Sequence, residues 1–187
     1  MGHRQVFVLL TDTGTLFTKL IRVFTGKELN HASISFDEGL LDVYSFGRIN
    51  PANPFSGGFV KEDVRADLFA KARCAVYAYT VSEQEYGRMQ EQAAFFEENR
   101  HHYKYNLLGL FAVLFNWEYN RSNAFFCSEF VGTILKETGG CRVEKPVSLL
   151  KPHELEKVFS LHLVYKGSLA DYLQADSARE SMDASIA

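Results

Sequence analysis

A cysteine placed where an irregular segment turns into a helix constrains this chain more than any other feature. In Ala124-Phe125-Phe126-Cys127-Ser128-Glu129-Phe130-Val131-Gly132-Thr133-Ile134-Leu135 the apolar residues favour a buried helix with Cys127 near its first turn. The unpaired N–H groups and the positive dipole end of such a helix stabilise a thiolate, which is what turns a small apolar side chain into a nucleophile. A packed structural thiol also fits this sequence, because free cysteines are among the most buried residues. The choice between the two rests on residues far upstream.

The chain has 187 residues, 47% of them hydrophobic, enough for one domain with a substantial core. We read 1–173 as that domain and 174–187, where the composition turns small and polar, as a frayed tail. A net charge of −3 and the absence of any basic run argue against nucleic acid as a partner. Cys74, Cys127 and Cys141 are too few and too scattered for a disulfide framework, and none shares zinc-site spacing with another Cys or a His. They are therefore expected to be reduced thiols, with no metal and no cofactor. The first residues lack the long apolar stretch and the cleavage site of a signal peptide, so a cytoplasmic location is the expectation. Leu107 to Trp117 is apolar but shorter than the ~20 residues that span a bilayer, so no transmembrane segment is expected. That segment reads as a buried helix or as the wall of an apolar groove, which leaves lipid contact open.

Apolar and β-branched runs, with period-two alternation in His31 to Phe36, place strands at Gln5 to Thr11, His31 to Phe36, Leu40 to Phe46, Phe59 to Val64, Arg73 to Val81 and Leu161 to Lys166. Helices are expected over Leu16 to Phe24, from an N-cap at Ser82 to about Asn99, from Cys127 to about Thr138, and briefly at Pro152. The fold class is α+β. In the strand that starts at His31, Ala32, Ile34 and Phe36 form one face, and His31, Ser33 and Ser35 the other. With Asp37-Glu38-Gly39 as a three-residue turn, Ser45 lies across from His31 on the same face, and Asp42 points to the opposite one. The turn-rich stretch Gly47 to Gly58 reads as a loop, either a plain connection or a lid whose Arg48 holds a substrate carboxylate.

A histidine at a strand start, a second strand after a tight turn, and a late helix headed by cysteine are the parts of papain chemistry in reversed chain order. In this order the sequence resembles the circularly permuted NlpC-type papain-like hydrolases, the YiiX-like group, which share it with the lecithin retinol acyltransferase family. The resemblance is carried by Leu20 to Gly26, His31-Ala32-Ser33-Ile34, Tyr103-Lys104-Tyr105-Asn106 and Phe126-Cys127-Ser128-Glu129-Phe130-Val131. It implies a permuted papain-like fold in which the cysteine-bearing helix packs on an antiparallel sheet. It also implies a catalytic Cys127 and His31 with a third polar residue to orient the imidazole. The family's usual position for that residue, often Glu or His, is Val43 here. Ser45 is the preferred substitute, with Asp42 and Glu62 as further candidates.

Acyl transfer is the chemistry that the resemblance implies. His31 takes the thiol proton, Cys127 attacks a carbonyl, and its N–H stabilises the oxyanion, with Tyr103 or Tyr105 as a second donor. The leading expectation is an amidase or peptidase acting on a small peptide-like amide, with cell-wall-derived amides among the candidates. The alternatives are a lipid-directed thioesterase or acyltransferase, and a binding module that keeps the fold without catalysis. The last is motivated by the missing carboxylate at Val43.

Overall fold

The computed structural model describes residues 2–14, 22, 26–49, 57–106, 123–136 and 144–186. The expected helix at 16–24, the Leu107 to Trp117 segment, the Thr138 end of the cysteine helix, and Cys141 all fall outside these residues or mostly so.

Six strands form one antiparallel sheet: β1 (His3–Asp12), β2 (His31–Ser35), β3 (Val43–Arg48), β4 (Gly57–Glu62), β5 (Arg73–Ser82) and β8 (His162–Ser168), in the order β4-β3-β2-β1-β5-β8. The short strands β6 (Lys104–Tyr105) and β7 (Ala124–Phe125) pair in parallel as a separate ladder. Four α-helices are described: α1 (Glu83–Glu98), α2 (Cys127–Lys136), α3 (Leu155–Val158) and α4 (Leu169–Ile186). The molecule is thus α+β among its described residues. The tail expected to fray from residue 174 is helical as far as Ile186.

Alternation in the strands assigns each side of the sheet its own core. The even-numbered residues Val6, Val8, Leu10, Ala32, Ile34 and Phe46 pack with Tyr86 and Met89 of α1, and with Cys127, Phe130, Val131 and Ile134 of α2. The odd-numbered Phe7, Leu9 and Val43 pack with Leu40, Phe69, and Leu169 and Tyr172 of α4. Helices therefore cover both faces. On the α2 side Phe46, Phe59, Phe96 and Phe130 interlock, with centroid separations from 5.3 to 6.5 Å and mostly edge-on geometry, the arrangement that aromatic quadrupoles favour.

Helix α1 begins as its sequence indicates. The Ser82 hydroxyl accepts from the Glu85 N–H at 3.3 Å, and the Glu85 carboxylate accepts from the Ser82 N–H at 2.8 Å, a reciprocal capping box.

The β2–β3 hairpin departs from the expected three-residue turn. Ser35 pairs with Val43 and Ile34 with Tyr44, so the connection runs from Phe36 to Asp42. Asp37 organises it: its carboxylate accepts from the N–H groups of Leu41 at 2.8 Å and Asp42 at 3.1 Å, and from the Ser35 hydroxyl at 3.0 Å. Leu40 adopts φ +54°, which costs a non-glycine residue about 1 kcal/mol, and its fully buried side chain offsets that strain. The register has moved by two residues. An even shift keeps every side chain on its expected face, so Ser45 stays on the His31 side but now lies across from Ser33.

Candidate active site

His31 is the first residue of β2, and its side chain is 18% exposed at the end of the sheet. Its Nε2–H donates to Glu62 Oε1 at 2.7 Å, and Glu62, the last residue of β4, is 10% exposed. The other carboxylate oxygen, Oε2, accepts from the Ser33 hydroxyl at 2.5 Å. Sheet geometry explains the convergence. Val43 and Glu62 are cross-strand partners, so Glu62 lies beyond the short Val43 side chain on the same face and extends across to His31 and Ser33.

Ser45, the expected orienting residue, is committed elsewhere. Its hydroxyl donates to the Ala32 carbonyl at 2.7 Å and lies 3.4 Å from His31 Nε2. It is a neighbour of the histidine, and Glu62 is the carboxylate that holds it. Asp42 is at the surface, paired with Lys61.

Cys127 opens α2 and is buried. Its side chain lies close enough to His31 to bear on the protonation of the imidazole. Burial alone would lower the His31 pKa, but the Glu62 charge, the Cys127 side chain and the hydrogen bond to Glu62 outweigh it and raise the pKa well above its ordinary value. The charged form of the ring is therefore stabilised relative to a free histidine side chain.

Two features at the head of α2 were not read from the sequence. The Ser128 hydroxyl donates to the Leu150 carbonyl at 2.7 Å, tying the first turn to the segment before α3. Glu129, 4% exposed, accepts from the Phe126 N–H at 3.4 Å, and burial pushes its carboxyl up to about 7 against that hydrogen bond. A carboxylic acid among the apolar residues of Phe126 to Leu135 was the available signal.

Tyr103 packs against Phe46, Phe96 and Phe125, so its ring belongs to the aromatic core. Tyr105 in β6 pairs with Phe125 of β7, two residues before Cys127, and its Cβ closes on Gly57, where any added Cβ would collide at 2.5 Å. Arg48 is not in a loop: it ends β3, paired with Gly57 of β4. The loop expected over Gly47 to Gly58 is thereby narrowed at both ends by strand.

Among the described residues no group of three His, Cys, Asp or Glu side chains is placed to hold a metal ion, and no helix is long and apolar enough to cross a membrane. Compared with known proteins, the chain matches no family model, no curated protein and no solved structure.

Proposed function

We propose that this protein is a cysteine hydrolase of permuted papain-like fold, an amidase or peptidase acting on a small peptide-like amide through a thiol acyl-enzyme. The observation that carries this reading is the chain of contacts Glu62–His31–Cys127, with the cysteine at a helix start. Because Nε2 serves Glu62, the other ring nitrogen, Nδ1, is left to take the thiol proton. The carboxylate fixes the tautomer and favours the imidazolium, the part that an acid plays in a catalytic triad. The thiolate then attacks the carbonyl carbon, and the Cys127 N–H lies at the helix end where an oxyanion needs a donor. As the C–N bond breaks, the imidazolium gives its proton to the departing amine. Water, deprotonated by the neutral imidazole, then cleaves the thioester, releasing the acid and restoring the thiol.

A carboxylate on the imidazole removes the motive for a module without catalysis, since that reading rested on Val43 standing where an acid was expected. The lipid-directed alternative drew on Leu107 to Trp117, which lies outside the described residues, and nothing among them favours it. Electrophilic probes carrying either a peptidyl or a long acyl group separate the two. The expected result is labelling of Cys127 by the peptidyl probe, lost in Cys127→Ala and strongly reduced in His31→Ala. Labelling by the acyl probe alone would replace the amidase reading with the lipid-directed one.

A further inference from the structure

A cavity of about 780 Å3 lies on the α2 side of the sheet, a volume within the ~300–1,000 Å3 of ordinary small-molecule sites. Leu10 of β1 and Tyr77 of β5 line it, together with the segment Gly26–Leu29, residues from His153 to Val158, and Lys166 of β8. Leu29 is two residues before His31, so at most ~7 Å of extended chain separates the cavity wall from the histidine. Leu10 is the strand partner of Ala32. The cavity therefore opens on the face of the sheet whose core includes Cys127, although neither Cys127 nor His31 is in its lining.

Its lining carries three lysines, Lys27, Lys157 and Lys166, and three acids, Glu28, Glu154 and Glu156. Glu28 is engaged by Arg73 at 3.4 Å, and Glu154 by Lys145 at 2.7 and 2.9 Å, so two of its three acids are neutralised by cations that do not line it. The third, Glu156, accepts from the Tyr77 hydroxyl at 3.0 Å. Lys157 and Lys166 are exposed and have no carboxylate partner among the described residues. His153 is kept neutral by burial and by the positive charge of Lys27, Lys151 and Lys145, against Glu154, which leaves it able to donate a hydrogen bond without adding charge. Ammonium groups and a neutral donor around a pocket of ligand size suit an anion.

We propose that this cavity seats an anionic group, a carboxylate or a phosphate, on the acyl substrate that Cys127 attacks. The assignment rests on the acyl-transfer reading for its link to catalysis. It adds the substrate's charge, with Lys157 and Lys166 as the residues that select for it.

Two matched chromogenic esters test it on the full chain: 4-nitrophenyl hemisuccinate, with a terminal carboxylate, and 4-nitrophenyl butyrate, without one. The expected KM is about tenfold lower for the hemisuccinate, equivalent to about 1.4 kcal/mol. This preference should shrink with added salt and vanish in Lys157→Gln/Lys166→Gln. A urea melt that coincides with that of the wild-type chain reports an intact fold in that variant. Equal KM values in the wild-type chain, or a preference that survives in the lysine variant, overturn the proposal. Titrating glutarate and inorganic phosphate into Cys127→Ala, followed by NMR, separates the carboxylate from the phosphate source; binding of neither overturns the proposal. Binding that is lost in the lysine variant supports the cavity even if neither ester turns over, and in that case it is the acyl-transfer reading that fails.

Discussion

The two described cysteines have opposite surroundings. Cys74 lies within β5, on the face covered by α4, in a core of Phe7, Leu9 and Val76. Burial pushes its thiol up to about 11, and a backbone hydrogen bond from Gly167 offsets only part of this. Cys127 is as buried but heads a helix, and its side chain meets an imidazole held by a carboxylate. Depth separates neither thiol from the other. What separates them is the backbone around each sulfur, since a strand interior spends its N–H groups on neighbouring strands whereas the first turn of a helix leaves them unpaired.

The sharpest way to break this contrast is to remove each sulfur in turn. Cys127→Ala is expected to lower hydrolysis by at least ~10³-fold, the order seen when a nucleophile is deleted. Cys74→Ala should leave kcat/KM near wild type and cost about 1 to 2 kcal/mol of stability through the cavity left behind. Steady-state rates and urea melts on the two variants measure both effects. Comparable activity losses would mean that the thiols do not differ as their surroundings indicate.

Glu62→Gln probes the carboxylate behind the histidine, and turnover should fall by about 10² to 10⁴-fold, as when a triad carboxylate becomes an amide. The variant should also change the pH dependence. His31 has a folded-state pKa above its unfolded value, so its contribution to stability is complete below about pH 6.5, the ordinary value, and is lost as pH rises through the raised one. Glu62→Gln removes the charge that opposes burial, so the basic limb of the rate profile should move to lower pH. A basic limb that stays in place would assign the raised pKa to something other than Glu62.

Glu129→Gln tests the head of α2. Burial raises the Glu129 carboxyl to about 7, so its stabilising effect is complete below its ordinary value and is lost as pH rises through about 7. An amide keeps the acceptor for the Phe126 N–H without the buried charge. At pH 8 the variant should therefore be more stable, by up to about 3 kcal/mol. At pH 4 the advantage should disappear. Chemical denaturation at the two pH values measures the difference.

Strand parity was legible in the sequence, because the alternation in His31 to Ser35 sets which side chains share a face whatever the register. The register was not legible. Asp37 reaches forward to the N–H groups of Leu41 and Asp42, Arg65 donates to the carbonyls of Gly39 and Leu40, and the Tyr172 hydroxyl donates to the Glu38 carbonyl. Two of those three anchors come from distant segments, so no local turn rule predicts the longer connection. Glu62 was a candidate among three because its place beside His31 depends on the β3–β4 pairing as well as on the hairpin. The helix headed by Cys127 was legible from its apolar run. The acid within that run, Glu129, gains its character only from the depth of packing around it.

The smallest expected effect separates a neighbour of the histidine from its partner. The Ser45 hydroxyl already donates to the Ala32 carbonyl at 2.7 Å, so its 3.4 Å approach to His31 Nε2 can at most accept a long, shared hydrogen bond. Losing a neutral bond of that kind costs about 0.5 to 1.5 kcal/mol, so Ser45→Ala should slow turnover by about tenfold or less. Its pH profile should coincide with that of the wild-type chain, because no charge near the imidazole has changed. Asp42→Asn should do less still: its pairing with Lys61 is half exposed, and such surface pairs contribute about 1 kcal/mol or less. A pH profile displaced in Ser45→Ala as far as in Glu62→Gln would show that the serine, rather than the carboxylate alone, sets the protonation of His31.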